Sequence, residues 1–432
     1  MFLQRPRYTD TLERVSKKLR KTKKVYIVKQ ELILTFSYFG IGGAQRRAFS
    51  LAKSFAEAGY KVFVLAVLGC DYSIENKTFY DINENVELII IPEYFEKHKN
   101  DKVVIAINNK INNRIFFLKI FQNFLNLIDK QLATKLSFYI ANTRRMACLR
   151  SFMVLHKGAT VINFGFNIFD RVWFSIKGLR MKIIYAETNA LNKYKSERFF
   201  KQIKKCLKKV DAFVFQTDVE REELSVTQSY YVINNPVKPG LPQPYVGTRD
   251  KKIVNFCRLS RQKNLLLLIQ AFEKLLKLFP DYKLEIFADS CTPQSQEYKN
   301  ELMLYISDRH LENSILFCPP SKDVHNKILK STMFVSSSDY EGISNSMVEA
   351  MAIGLPCVCT DCDGGGAREM IIDGENGLLV PAKDVDALKN AMIRLISEKG
   401  LAEKLSENAA KIRETHSVEK IAKKWLDVIN DI

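Results

Sequence analysis

The sequence predicts an α/β protein made of two doubly wound, Rossmann-like parallel-sheet domains facing a central cleft. Three observations carry that expectation. Short apolar runs alternate with stretches of helical spacing along the chain, the pattern of parallel strands joined by crossover helices. At 432 residues the chain is too long for one ordinary core and suits two. Residues 235–249, NPVKPGLPQPYVGTR, place four prolines and two glycines where regular structure cannot continue. The domains expected are therefore 1–240 and 241–432, with the last helix, 417–430, free to pack back on the first domain.

In the first half, strands are expected at Val25 to Phe36, Lys61 to Leu68, Val86 to Ile91, Ala159 to Phe164, Lys182 to Ala186 and Asp211 to Gln216. The first is followed by a turn containing Gly40, Gly42 and Gly43. A helix then carries Ala44, Ala48, Leu51, Ala52 and Phe55 on one face and closes at Gly59. Residues 95–150 break the rhythm with a basic, aromatic-rich stretch at helical spacing. It reads as a helical insertion, packed on its own domain or also touching a membrane. In the second half, strands are expected at Lys252 to Cys257, Lys283 to Ala288, Ser314 to Phe317, Thr332 to Ser337 and Pro356 to Thr360. Helices include Leu265 to Phe279 and Asn345 to Ile353.

An apolar fraction of 47% with 26% charged residues is that of a globular chain and excludes a fibrous or low-complexity one. The nine cysteines form no CxxC pair, and Cys357, Cys359 and Cys362 have no histidine near them in sequence. They read as structural thiols in a reducing compartment, with no zinc site. The first residues carry positive charge with no apolar segment or cleavage site behind them, so no secretory signal is expected. No run of about eighteen apolar residues occurs. Charge is uneven: residues 1–240 hold 41 Lys and Arg against 21 Asp and Glu, leaving the second half near neutral within a net charge of +18. A basic first domain implies a phosphate-bearing or anionic partner.

The segment SSSDYEGISNSMVEAMAIGLPCVCTDCDGGGAREMIIDGENGLLVP, residues 336–381, carries most of the chemistry. Glu341 and Glu349 lie eight residues apart, one in a loop after a strand and one on the helix that follows. Loops at the carboxyl ends of parallel strands form the ligand crevice, and a helix start near Asn345 offers amides and a positive dipole end to a phosphate. Two carboxylates beside that anion site could accept hydrogen bonds from the hydroxyls of a sugar nucleotide. A second segment, FCRLSRQKN, carries Arg258 and Lys263 from a strand end toward the same crevice, with Arg261 expected in solvent.

The combination of E-x7-E within EGxxNSMVEAMAxGLP and the following TDCxGGGAREMIxDGxNGLLVP resembles the donor site of glycosyltransferase family 4, the group 1 glycosyltransferases of GT-B fold. The second half follows that pattern nearly throughout, and the first half mainly at Gly42-Gly43-Ala44-Gln45. The resemblance implies retaining transfer from a nucleotide diphosphate sugar, a UDP-hexose or UDP-N-acetylhexosamine being the leading donor. It gives Glu341 to the donor sugar hydroxyls, Glu349 to the ribose, and Arg258 and Lys263 to the leaving diphosphate. Gly342, Asn345, Ser346, Met347 and Gly43 complete the expected donor site. Glu187 and Asn189, after an apolar strand, are acceptor-side candidates; many relatives have a histidine in this region and this sequence has none. Asp361-Cys362-Asp363 resembles a metal-binding DxD but stands beside three glycines in the other architecture, so no metal and no cofactor are expected.

The partners expected are a nucleotide sugar, a glycan or lipid-linked acceptor, and an anionic membrane surface on the cytoplasmic inner face. The surface would be met through Lys17, Lys18, Arg20, Lys21, Lys23, Lys24, Arg144, Arg145 and Arg150, with Phe116, Phe117, Phe121 and Phe124. The high net charge also suits a nucleic-acid-binding protein, though no reading motif or stacking platform occurs. A GT-B epimerase or an inactive relative remains a further alternative, separable by sugar-nucleotide turnover with and without acceptor.

Overall fold

A computed structural model of the protein describes residues 30–39, 43–70, 85–98, 100–102, 104–107, 122, 146–188, 207–224 and 226–432. The apolar runs become two parallel sheets. The first holds β1 (Glu31–Phe39), β2 (Lys61–Cys70), β3 (Val86–Ile90), β4 (Thr160–Phe164), β5 (Lys182–Ala186), β6 (Ala212–Phe215) and β7 (Tyr230–Val232), in the order β3-β2-β1-β4-β5-β6-β7. The second holds β8 (Asp250–Arg258), β9 (Lys283–Asp289), β10 (Ile315–Cys318), β11 (Ser331–Ser336), β12 (Cys357–Asp361) and β13 (Leu378–Pro381), in the order β10-β9-β8-β11-β12-β13. Both are doubly wound: the chain leaves a central strand toward one edge, returns, and builds toward the other.

Parallel strands read as continuous apolar runs because both of their faces are covered. β1 shows it: Leu32, Leu34 and Phe36 pack under the Gly43–Glu57 helix, while Ile33 faces the other way onto Phe152, Phe169 and Ile183. Both layers are buried. β7 and β13 were not expected from the sequence. Each has four residues or fewer and lies at a sheet edge, too short to show a period. The helix expected to reach Phe279 ends at Leu276 because Pro280 disfavours helical backbone in the residue before it. Residues 235–249 contain neither helix nor strand.

The last helix, Val418–Asp431, is in sequence part of the second half and in space part of the first domain. Trp425, Val428 and Ile429 are buried among Leu51, Ala52 and Phe55, and the Tyr60 hydroxyl donates to Asn430 Oδ1 at 3.1 Å. Ser417 caps this helix by accepting from the Lys420 amide. Ser417→Ala should cost about 1 kcal/mol, the usual worth of such a cap, and lower the melting temperature without changing the fold. Thermal unfolding checks it; an unchanged midpoint would mean that the docked face alone holds the helix.

Of the expected insertion at 95–150, the structure describes the helix Ile91–His98 and a helical segment over 146–155. The aromatic cluster Phe116 to Phe124, the basic residues from Lys17 to Lys24, and Arg144 and Arg145 lie outside the described residues. Arg150 is not a free surface charge: its guanidinium donates to the carbonyls of Ser175 and Lys177, both at 3.0 Å, and braces its own domain. Among the described residues no helix is long and apolar enough to cross a membrane.

Candidate active site

The carboxyl ends of β8 and β11 open onto two loops that are tied to each other. After β8 the chain makes a short 3₁₀ turn, Arg261–Lys263, and Asn264 takes a left-handed conformation (φ 41°), one that Asn tolerates better than most residues. The Asn264 side chain accepts from the Leu267 amide to cap the Leu265–Leu276 helix, and its Nδ2 donates to Asp339 Oδ1 at 2.8 Å. From the same turn Gln262 Nε2 donates to the Tyr340 carbonyl at 2.8 Å, and the Ser337 hydroxyl donates to the Lys263 carbonyl at 2.9 Å. The loops are thereby held in one register.

This lacing sets Lys263 against Glu341. The ammonium makes an ion pair with Glu341 Oε2, which also accepts from Gln262 Nε2 at 3.3 Å and the Ser338 hydroxyl at 3.4 Å. Burial works to lower the Lys263 pKa, but the Glu341 carboxylate outweighs it and the ammonium is held charged. Arg258, at the end of β8, is exposed and near enough to Lys263 to act on it as a like charge. The structure therefore brings Arg258, Lys263 and Glu341 together. Arg261 is bound to Glu301 rather than solvated alone.

The Glu341 amide donates to the Asp363 carbonyl at 2.8 Å, so the β12 loop forms the floor below it. Gly366 backs directly onto Gly342: a Cβ there would collide with the Gly342 carbonyl, which explains a glycine in the GGG run. Asp361 pairs with Arg368 at 2.6 Å. Cys357, Cys359 and Cys362 are buried thiols, and burial pushes Cys362 up to about 12. Among the described residues no group of three His, Cys, Asp or Glu side chains is placed to hold a metal ion.

Next comes the Asn345–Ala352 helix, capped by Ser344, whose side chain accepts from the Met347 amide. Its first turn faces the other domain, where Gly43 packs on the Asn345 side chain so tightly that a Cβ would strike it. Asn345 Oδ1 accepts from Asn235 Nδ2 at 3.3 Å, and Ser346 is half-buried. The Met347 side chain is 1% exposed and packs in the core with Val348 and Ala350. Glu349 is buried between Arg46 and His325. Arg46, from the Gly43–Glu57 helix of the first domain, pairs with Oε1, and His325 Nε2 lies 2.5 Å from Oε2. Burial works to raise the Glu349 carboxyl; Arg46 and His325 overcome it and hold it below its usual range.

Behind the donor loop the first domain supplies a second set of contacts. Gln216 Oε1 accepts from the Ile343 amide at 2.8 Å while Asn235 Nδ2 donates to the Ile343 carbonyl at 3.1 Å, so two side chains satisfy one backbone unit. The Thr217 hydroxyl donates to the Gly364 carbonyl at 2.8 Å. Arg47 is buried, donates to the carbonyl of Glu187 at 2.8 Å, and is lowered to about 10 by burial against the opposing pull of Glu220 and Glu187. Burial and the nearby Glu187 push Glu220 well above the ordinary carboxyl range. Glu187 itself is 1% exposed; Tyr185 donates to one carboxylate oxygen and the Thr188 amide to the other. Glu187 is thus part of this buried network and not a side chain open to the cleft. Asn189 lies outside the described residues.

Sequence reasoning missed Arg46, His325, Gln216, Thr217 and Asn235. Arg46 directly follows the GGAQ run, a signal that was available. The others stand in segments without motif, and their partners are distant in sequence, 127 residues for Gln216 and Ile343.

Two doubly wound parallel sheets, the second carrying Lys263, Glu341 and Glu349 at its crevice, make up a GT-B fold. The family model described as glycosyl transferases, group 1, matches residues 243–412, most of the second domain. The poly(glycerol-phosphate) alpha-glucosyltransferase of Bacillus subtilis is 27% identical over 258 residues, 58% of this chain and 37% of that protein, so the match spans well under half the relative's length. Among solved structures, TarM superposes with a TM-score of 0.72 at 16% identity, covering 94% of this chain and all of that one. HepE of Anabaena, in complex with UDP-glucose, superposes with a TM-score of 0.71 at 15% identity over 93% of this chain and all of that one. At these identities the two structures speak for the fold.

Proposed function

We propose that the chain moves a hexose or N-acetylhexosamine from a UDP-sugar to a hydroxyl of an anionic surface glycan or its lipid-linked precursor, with retention at the anomeric carbon. The observation that carries this reading is the pair Glu341 and Glu349, set at either end of one loop-helix junction and each already matched to a cation. In this reading Glu341 accepts from hydroxyls of the donor sugar and Glu349 from those of the ribose. The first-turn amides of the Asn345–Ala352 helix face an anion by the ordinary rule for helix starts. Lys263, with Arg258 beside it, would take the charge that grows on the diphosphate as it leaves. A front-face attack suits this arrangement: the departing phosphate oxygen helps take the proton from the acceptor hydroxyl, and the protein supplies position and charge.

The basic first domain supports an acceptor rich in phosphate or carboxylate, or a membrane surface that holds it, in keeping with the poly(glycerol-phosphate) named for the Bacillus relative. A thermal-shift panel of nucleotide sugars tests the donor assignment. A donor at a hundred times its dissociation constant should stabilise the protein by about 2.7 kcal/mol, and a panel without any shift from UDP or its sugars would overturn the reading. Turnover should persist in EDTA, because side-chain cations are assigned to the leaving group. Complete loss, restored by magnesium or manganese, would reverse that assignment.

A further inference from the structure

We infer that His325 is a positioning residue that fixes the Glu349 carboxylate for recognition of the donor ribose, and so sets the preference for ribonucleotide over deoxyribonucleotide. The inference rests on the reading of Glu349 as the ribose contact.

A glutamate side chain has several free torsions, whereas two adjacent ribose hydroxyls require a carboxylate whose plane is set. Arg46 reaches Glu349 at Oε1 from the opposite domain, and one end-on partner leaves that plane free to turn. His325 supplies the second point of attachment, at Oε2, 2.5 Å from its Nε2. The imidazole is itself immobile. It is 6% exposed, and its edge meets the Phe256 ring at 82° with centroids 5.7 Å apart. The flanking Val324 and Ile328 are anchored in the same core as Val348 and Ala350 of the Glu349 helix. A buried imidazole N–H is costly unless it is used, and Glu349 is its use here. Each carboxylate oxygen has two lone pairs, so Oε1 and Oε2 keep acceptor sites for the ribose hydroxyls after both protein partners have bound.

The test measures binding of UDP and of 2′-deoxyuridine diphosphate to the full chain by calorimetry, with thermal melts to confirm folding. The wild-type protein should bind UDP about tenfold more tightly than the deoxy compound, the worth of a hydrogen bond to a charged acceptor. In His325→Leu, UDP should weaken about tenfold while the deoxy compound is unchanged, bringing the ratio near one. His325→Gln, whose amide nitrogen can stand where Nε2 does, should recover most of the ratio, and His325→Asn, whose nitrogen falls short, should not. With a UDP-sugar that turns over, the donor KM should rise in His325→Leu while kcat holds. A folded His325→Leu or His325→Asn protein with the wild-type ratio, or equal weakening of both nucleotides, overturns the positioning role. A wild-type protein that binds UDP yet does not distinguish the two removes the ribose assignment of Glu349, and one that binds neither removes the donor reading itself.

Discussion

Glu341→Gln should reduce turnover by on the order of a hundredfold or more, about 2.7 kcal/mol of transition-state stabilisation, while the protein still melts cooperatively. The change keeps the side chain's shape and removes its charge. Two things are lost together: a charged acceptor for the sugar hydroxyls, and the counter-charge of Lys263, whose ammonium is mostly buried. Gln262 and Ser338 can still meet an amide oxygen, so the loop keeps two of its attachments. Steady-state kinetics beside a melting curve check the prediction, and near-normal turnover in a folded variant would sink the assignment.

Lys263→Ala should slow transfer by about a hundredfold, the range found when one preorganised donor to a developing anion is removed. This lysine is engaged by Glu341, so the same group would have to serve both the carboxylate and the diphosphate. The double variant Lys263→Ala with Glu341→Gln should therefore be only slightly worse than either single one, because contacting residues that act as a unit do not add. Fully additive losses, near ten-thousandfold, would show two independent roles; full activity of Lys263→Ala at saturating donor would remove the leaving-group role altogether.

What could be read beforehand follows from where the information lies. β5 was legible to the residue and β12 nearly so, because a parallel strand buried on both faces is an unbroken apolar run. The clustering of Arg258, Lys263 and Glu341 was legible because they fall in two short segments that fold locally onto neighbouring strand ends. His325 and Gln216 were not legible: their partners, Glu349 for one and Ile343 and Glu187 for the other, stand on other elements, and nothing in the surrounding residues marks them. The side chain of Met347 stands on the core side of a helix whose residues alternate between crevice and core, which the motif alone does not show. The burial of Glu187 was not legible, because a carboxylate after an apolar strand suggests an open site, whereas Tyr185 two residues before it supplies a buried partner.

The return of the Val418–Asp431 helix to the first domain means that the chain crosses between the two bodies twice, once at 235–249 and again just before Ser417. The crossings are joined to each other: the Val237 amide donates to the His416 carbonyl at 2.8 Å, and Arg413 donates to the carbonyl of Pro242 at 2.8 Å. A body hung on a single cord can swing, slide and spin. One hung on two cords lashed side by side, like a door on its pins, keeps little beyond a swing about the line through the lashing. With Gly43 and Arg46 seated on Asn345 and Glu349 at the far side, the alignment of the two halves is carried by the path of the chain as well as by the side chains that meet between them.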